Sequence, residues 1–212
     1  MKKPLLSLCL TTALVGLQAP VLAAPVNLTA WLVSGDALVS ANSASVTTAY
    51  TNESPLAAGA LDISLLEAQL SAPSGTLGAN AYEGSALSES FNFAVSTYLS
   101  FNWTLGTDVF DAAFADLAFV LVDGTLLLPL ANVTAAELSG AFNHTFSAGA
   151  HTLAFGVVDV NDVSGVSSLT VSNVNLAVVS STVPEPGSLA LMLAALGVFA
   201  STTRKRRDGC GR

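Results

Sequence analysis

All seven Lys and Arg residues of this 212-residue chain lie at its two ends. The stretch 4–203 contains none, although it holds all but one of the 15 Asp and Glu residues. The basic residues are Lys2 and Lys3 at one end and Arg204, Lys205, Arg206, Arg207 and Arg212 at the other. The cations therefore belong to terminal targeting segments, and the body between them is a polyanion with a net charge of roughly −13.

This charge pattern excludes several classes of function for the body. Without Lys there is no Schiff-base chemistry, and without Arg there is no bidentate clamp for phosphate or carboxylate. Nucleic-acid binding is excluded because it needs a basic surface. Anionic lipids and anionic polysaccharides would be repelled unless divalent ions bridge them, whereas neutral glycans remain compatible.

The N-terminus has the three parts of a secretory signal peptide. Lys2 and Lys3 precede an apolar run, residues 5–17, and a small-residue cleavage site at Val21-Leu22-Ala23 follows. Cleavage after Ala23 is favoured because a cut one residue later would place Pro25 next to the scissile bond. We therefore predict a signal peptide at residues 1–23.

The C-terminus contains a second targeting segment. Pro184, Glu185 and Pro186 precede Gly187, an apolar segment at residues 189–200 and the basic cluster at residues 204–207. As a helix, residues 187–203 would be about 25 Å long, enough to span a bilayer if the flanking arginines snorkel. The positive-inside rule would then hold the basic tail in the cytoplasm. An ordinary anchor that is never cleaved is the alternative interpretation.

These elements closely resemble, in order and spacing, the PEP-CTERM sorting signal of Gram-negative bacteria that produce exopolysaccharide. The resemblance covers residues 184–212 and implies recognition by an exosortase after passage through the secretion machinery. It also implies transient anchoring in the inner membrane, followed by exposure at the cell surface or release outside the cell. The basic cluster and Pro184, Glu185 and Pro186 are the sorting residues that the resemblance identifies.

The exported segment, residues 24–183, has the length of one domain and the periodicity of strands. In residues 91–103, for example, apolar and polar side chains alternate, which puts one face of a strand into a core. Both cysteines, Cys9 and Cys210, lie outside this segment, so it folds without a disulfide. We predict an all-β antiparallel sandwich or jelly roll. The predicted strands are 30–33, 45–51, 61–70, 91–103, 117–122, 125–130, 142–146, 152–160 and 169–179.

Finer predictions concern the connections between these strands. Asp123-Gly124 between two apolar runs predicts a hairpin turn, and a change of apolar phase predicts a bulge near Ser172 and Asn173. A short helical turn is predicted at residues 135–138. Connections are predicted at residues 72–84 and 161–168.

The body is also similar to a recurrent type of PEP-CTERM ectodomain. The similarity spans residues 91–178 and rests on Ser100-Phe101-Asn102-Trp103, Leu153-Ala154-Phe155-Gly156-Val157-Val158-Asp159 and Leu169-Thr170-Val171-Ser172-Asn173-Val174, among other strand segments. It implies a jelly-roll module of a group for which no general activity is established. Where that group usually carries an aspartate before Asn-Val, this chain has Ser172.

Carboxylates are the main chemical resource of the body. Asp116 lies near Asp108 and Asp111, and Asp159 and Asp162 lead into a glycine-containing turn, which makes Asp116, Asp159 and Asp162 candidate ligands for a structural Ca²⁺. Solvated acidic loops are the alternative, and no other cofactor is expected. His144 and His151 flank a short turn and lack the further ligand that zinc would need.

These observations favour a function without catalysis for the body, and two alternative functions stay open. We expect an exported structural or adhesive component of the exopolysaccharide or biofilm matrix, with exopolysaccharide as a possible partner. A carbohydrate-binding module that stacks Trp31, Trp103 or Tyr98 on sugar rings is the alternative, and an exposed, outward-facing aromatic ring would favour it. A glycan-cleaving enzyme would need a groove lined by two close carboxylates. We find no nucleophile elbow or zincin motif, and no serine stands out.

Overall fold

The computed structural model of the chain describes residues 23–50, 58–109, 115–134, 137–161, 163 and 165–179, all within one compact unit, Val21–Val179. The strands are β1 (Ala24–Pro25), β2 (Leu32–Ser34), β3 (Asp36–Val39), β4 (Ser43–Thr47), β5 (Leu61–Asp62), β6 (Ala81–Phe93), β7 (Thr97–Thr107), β8 (Leu117–Val122), β9 (Thr125–Asn132), β10 (Glu137–Phe146), β11 (Gly149–Val160) and β12 (Ser167–Val178). A 3-10 turn (Leu28–Ala30) and helix α1 (Ile63–Gln69) complete the described elements.

The strands form two antiparallel sheets. Sheet A has the order β10-β7-β12-β4-β3, with β1 added to β12, and sheet B has the order β2-β6-β11-β8-β9, with β5 added to β6. One apolar cluster contains Leu99 and Phe101 from sheet A together with Phe155 and Val157 from sheet B, so the sheets pack face to face. The predicted all-β antiparallel sandwich is confirmed.

The core between the sheets is built from inward-facing residues of the long central strands. Phe101, Leu169, Leu87 and Phe155 are almost fully buried there. Each such side chain contributes roughly 1.5–3 kcal/mol relative to an exposed position. The alternation seen in the sequence thus reflects burial of one face of each strand.

Helix α1 replaces a predicted strand, and the prediction of a strand over residues 61–70 is wrong. Asp62 caps the helix by accepting the amide of Ser64 at 2.9 Å, and Leu66 and Leu70, four residues apart, pack onto the outer face of sheet B. The carboxylate of Glu67 accepts the backbone amides of Gly75 and Leu77, both at 2.9 Å. The Asp62 cap and the hydrogen bonds of Glu67 stabilise a helix here, although the sequence pattern resembles that of a strand.

The prediction of one continuous strand at residues 91–103 is also wrong. The chain turns at residues 94–96, so that β6 ends in sheet B and β7 begins in sheet A. The predicted connection at residues 72–84 ends earlier than expected because β6 already begins at Ala81. The sequence predicts a helical turn at residues 135–138. Glu137 and Leu138 instead belong to strand β10, and residues 135 and 136 lie outside the described part of the chain.

Two local predictions are confirmed. Asp123 and Gly124, with φ of 54° and 70°, form the two-residue turn that joins β8 to β9. In β12, the register with β7 shifts between Ser172 and Asn175, and Asn173 has a φ of 54°. The bulge keeps apolar residues on the inner face on both sides of the shift.

The two ends of the sandwich differ in chemistry. At one end the interior is lined by Asp36, Glu83, Asp116 and Asp159, all at most 6% exposed; we call this the carboxylate end. At the other end lie the turn at residues 94–96, the connection at residues 147–148 and the last residues of β12. We call this second region the exit end, because β12 ends there.

Candidate functional site

Hydroxyls and a backbone amide hold Asp116 and Asp36 at the carboxylate end. Asp116 accepts the hydroxyl of Ser167 and, at 3.2 Å, the amide of Val160. Asp36 accepts the hydroxyl of Thr47. The described part of the chain offers these groups no Lys or Arg.

Tyr50 contacts the same end from the surface. Its hydroxyl donates to Glu83, and this hydrogen bond is the main reason that its pKa is raised to about 12. Burial and the negative charges of Glu83, Asp62 and Asp159 act in the same direction. The carboxylate end is therefore a region of negative potential that extends to the protein surface.

The structure brings two of the three predicted calcium ligands to adjacent strands. Leu117 pairs with Val158, so Asp116 and Asp159 lie one step beyond this pair and both are buried. Asp162 lies outside the described residues, as does Asp111. Within the described ranges, no three His, Cys, Asp or Glu side chains are grouped so that they could hold a metal ion. Calcium binding at Asp116, Asp159 and Asp162 stays a prediction.

The exit end contains a serine, a histidine and an aspartate in a hydrogen-bonded chain. Ser147 Oγ lies 3.2 Å from Nε2 of His151, whose Nδ1 lies 2.9 Å from Oδ2 of Asp123. Asp123 Oδ1 also accepts the amide of Thr152 at 2.8 Å. These two hydrogen bonds hold the pKa of Asp123 below its usual range, and the bond with His151 has the larger effect.

This order of groups is that of a nucleophile relay, and the sequence interpretation missed it. The three residues come from the β8–β9 turn, the β10–β11 connection and β11, and no sequence motif links them. A catalytic relay also needs a substrate cleft beside the nucleophile. Neither of the two described surface hollows includes Ser147 or His151. The chain of hydrogen bonds links the β8–β9 turn and β11 to the β10–β11 connection.

The two histidines belong to different sheets, so the turn between them is not a hairpin. His144 lies on β10 in sheet A and His151 on β11 in sheet B. Each ring contacts Phe146, with centroid separations of 4.7 Å and 5.2 Å. Burial, together with the nearby charge of His151, lowers the pKa of His144.

The three aromatic residues proposed for sugar stacking have different environments. Trp31 is 5% exposed and packs against Phe91 and Phe155. Trp103 faces inward and is half-buried under Gly140 of the neighbouring strand. Tyr98 is 38% exposed, and its hydroxyl donates to Asn143 at 2.6 Å. Of the three, only Tyr98 has the exposed, outward-facing position that stacking requires.

A groove of about 480 Å³ crosses the outer face of sheet B. Its floor includes Ser88, Ser90 and Thr152, and its walls come from the end of α1 and from β2. On β2, Leu32 and Val33 are 58% and 42% exposed. Glu89 is the one charged residue in the lining, so the groove combines short hydroxyls, exposed aliphatic carbon and a single carboxylate. It does not contain the two close carboxylates of a glycosidase.

The sorting segment is identified by comparison with known proteins. Residues 182–207 match the PEP-CTERM protein-sorting motif. The chain carries a PEP-CTERM sorting signal. The motif contains Pro184, Glu185, Pro186 and the basic cluster at residues 204–207, as the sequence interpretation expected. It indicates an exported protein with a C-terminal sorting signal.

The sorting residues lie outside the described structure. Of the predicted signal peptide, only Ala23, the residue before the predicted cleavage, is described. Within the described ranges, no helix is both long and apolar enough to cross a membrane. The predicted membrane helix at residues 187–203 lies outside the described residues.

Comparison with solved structures gives only distant matches. A family 35 carbohydrate-binding module from Clostridium thermocellum is 8% identical, with a TM-score of 0.30, over 46% of this chain and 71% of that one. CBM35 from Paenibacillus barcinonensis is 12% identical, with a TM-score of 0.30, over 77% and 100%. TmCBM61, solved with β-1,4-galactotriose, is 12% identical, with a TM-score of 0.31, over 71% and 89%. None of the curated proteins matches the chain. These similarities assign no ligand to it.

The calcium hypothesis predicts that chelation destabilises the domain. An ion present at 100 times its dissociation constant adds about 2.7 kcal/mol, which corresponds to a fall in Tm of roughly 5–10 °C when it is removed. Thermal unfolding with and without EDTA measures this shift. Asp159→Asn should abolish the response to EDTA. Identical melting curves for the native chain would exclude the ion.

The pKa of His144 predicts a loss of stability in mild acid. Since burial lowers its pKa below the ordinary value of 6.5, the folded state binds a proton less readily than the unfolded state. The contribution of neutral His144 to the free energy of unfolding is complete above about pH 6.5. It is lost as the pH falls through the pKa that His144 has in the folded state. We expect His144→Phe to flatten the fall in Tm between pH 7.5 and 5. Asn143→Ala, on the outer face of the same strand, should keep the native slope, and equal slopes for all three proteins would contradict the prediction.

Proposed function

We propose that the exported domain is a non-enzymatic structural or adhesive component of the exopolysaccharide matrix. In this proposal a signal peptide delivers the chain and the C-terminal segment anchors it briefly in the inner membrane. Processing near Pro184, Glu185 and Pro186 then places it at the cell surface or outside the cell. The sorting motif at residues 182–207 is the observation that carries the proposal.

The chemistry of the domain supports a role without catalysis. The carboxylates of the carboxylate end are buried, and those with described contacts accept hydrogen bonds from the protein itself. The groove contains one carboxylate, Glu89, and no histidine. The test is labelling with a serine-directed phosphonate. If the native protein is labelled and the Ser147→Ala variant is not, the non-enzymatic part of the proposal is contradicted.

Neutralising the basic cluster should disturb sorting. With Arg204, Lys205, Arg206 and Arg207 replaced by Gln, the tail loses the charges that hold it in the cytoplasm. We expect the processed form to fall several-fold in the culture medium and envelope, with the unprocessed chain accumulating or degraded. Intact-mass analysis of both fractions measures this. Replacing Arg212 alone serves as the control, since it lies outside the matched motif. Unchanged mass and location would refute the sorting model.

The groove on sheet B favours a second candidate function, binding of a neutral glycan. Its volume of about 480 Å³ lies in the range of small-ligand sites. Hydroxyls such as those of Ser90 and Thr152 can hydrogen-bond sugar hydroxyls, while Leu32 offers apolar surface to sugar C–H groups. A body with no Lys or Arg fits an uncharged chain better than an anionic one.

Filling the groove should weaken glycan binding. We expect Ser90→Trp to reduce affinity for a neutral exopolysaccharide at least about tenfold, or roughly 1.4 kcal/mol, because the indole occupies the floor of the groove. Ser139→Trp, at an exposed position on sheet A, is the matched control and should bind normally. Affinity gel electrophoresis measures both. Equal retardation of the two variants would remove the groove from the proposal.

A further inference from the structure

Both ends of the folded body leave the sandwich at its exit end. Strand β1 is antiparallel to β12, with Ala24 opposite Leu176, so the chain enters β1 beside the end of β12. Beyond β12, Val179 donates its amide to the carbonyl of Ser96 at 2.9 Å. The sorting motif begins at residue 182. The signal peptide and the sorting segment are therefore both joined to the same end of the sandwich.

Exposed apolar side chains surround this exit point. Val178 and Val179 are 51% and 43% exposed, and Val95, in the adjoining turn, is 47% exposed. Val178 pairs with Thr97, and Val179 is hydrogen-bonded to Ser96, so the three valines are neighbours. Tyr98, on the same end of β7, is 38% exposed. Single exposed valines are common, but a contiguous group beside a membrane-directed segment indicates an interaction surface.

The carboxylates of sheet A lie at the opposite end. In the described part of that sheet and its adjoining turns, the acidic residues are Asp36, Asp108 and Glu137, all beside the far end of β7 or β4. The twelve residues of β12 place that end roughly 35 Å from Val178. This is several Debye lengths at physiological ionic strength, about 8 Å each. On sheet B, the carboxylate nearest the exit end is Asp123, which is paired with His151.

We propose that the exit end, formed by Val95, Tyr98, Val178 and Val179, rests on the lipid surface while the precursor is anchored. This inference rests on the transient anchoring in the proposed function. Six residues separate Val179 from Pro186, and the seven steps between them reach at most about 25 Å, so an anchored body stays close to the bilayer. The carboxylate at the exit end, Asp123, is hydrogen-bonded to His151, so this end brings less negative charge to anionic lipid than the carboxylate end does. The valines and tyrosine of the exit end suit the interfacial region.

Depth-dependent quenching tests this orientation in the full chain. Cys9 and Cys210 are replaced by Ser, and one cysteine is introduced by Val95→Cys or Val178→Cys and labelled with a nitrobenzoxadiazole dye. The matched control is Val109→Cys, which is 57% exposed and adjoins Asp108 at the carboxylate end. Vesicles contain phosphatidylethanolamine, phosphatidylglycerol and a nitroxide-labelled lipid. We expect the dyes at Val95 and Val178 to be quenched at least about threefold more than the dye at Val109.

Flotation of the same vesicles separates two kinds of failure. If the protein floats with the vesicles but all three dyes are quenched equally, the orientation is wrong and anchoring stands. If the protein does not float, the anchoring step of the proposed function is wrong, and the orientation falls with it. Because the vesicles contain no exosortase, stronger quenching at the exit end supports lipid as the contacting surface.

Discussion

The lack of Lys and Arg in the body is the constraint on which the rest of the structure depends. Every carboxylate that is buried in the body must be satisfied by N–H and O–H donors or by a bound cation, since the body offers no Lys or Arg for an ion pair. A hydrogen bond to a charged group contributes about 1.5–3 kcal/mol, whereas a buried charge left without compensation costs several kcal/mol. Asp116 and Glu67 each accept two such bonds from donors on other elements. Carboxylates therefore help to connect elements that are distant in the sequence.

The two ends of the sandwich interior differ in chemistry. Hydroxyls and carboxylates fill the interior at one end, and aromatic rings, His144 and His151 fill it at the other. The apolar core lies between them and joins the two sheets. A hydrogen-bonded chain of Ser147, His151 and Asp123 lies at the aromatic end. The exported domain thus has two chemically distinct ends, and both β1 and β12 have their outer termini at one of them.

The sequence predicted those parts of the fold where burial and pattern agree. Strands β8, β11 and β12, the Asp123-Gly124 turn and the bulge near Asn173 follow from alternation and turn chemistry. Helix α1 was missed because its seven residues are too few to show a clear helical period, and its anchor, Glu67, bonds residues outside the helix. The turn at residues 94–96 contains neither Gly nor Pro, so nothing local marked the passage from one sheet to the other.

The candidate sites were less predictable than the fold. Asp116 and Asp159 were singled out because they are acidic, and the structure places them next to each other on neighbouring strands. The groove depends on where α1 packs, which the sequence interpretation did not foresee. Ser147, His151 and Asp123 meet only because the ends of both sheets converge there. Such a cluster can be found only from tertiary structure.

The pairing of β1 with β12 has a mechanical consequence. Because the first and last strands are antiparallel neighbours and leave the same end, a force that pulls the two termini apart loads their hydrogen bonds one after another. Bonds loaded singly give way at low force, unlike strands that are sheared along their whole length. The domain would peel open if tension ran from one terminus to the other. It can resist tension only if the load enters through a side surface.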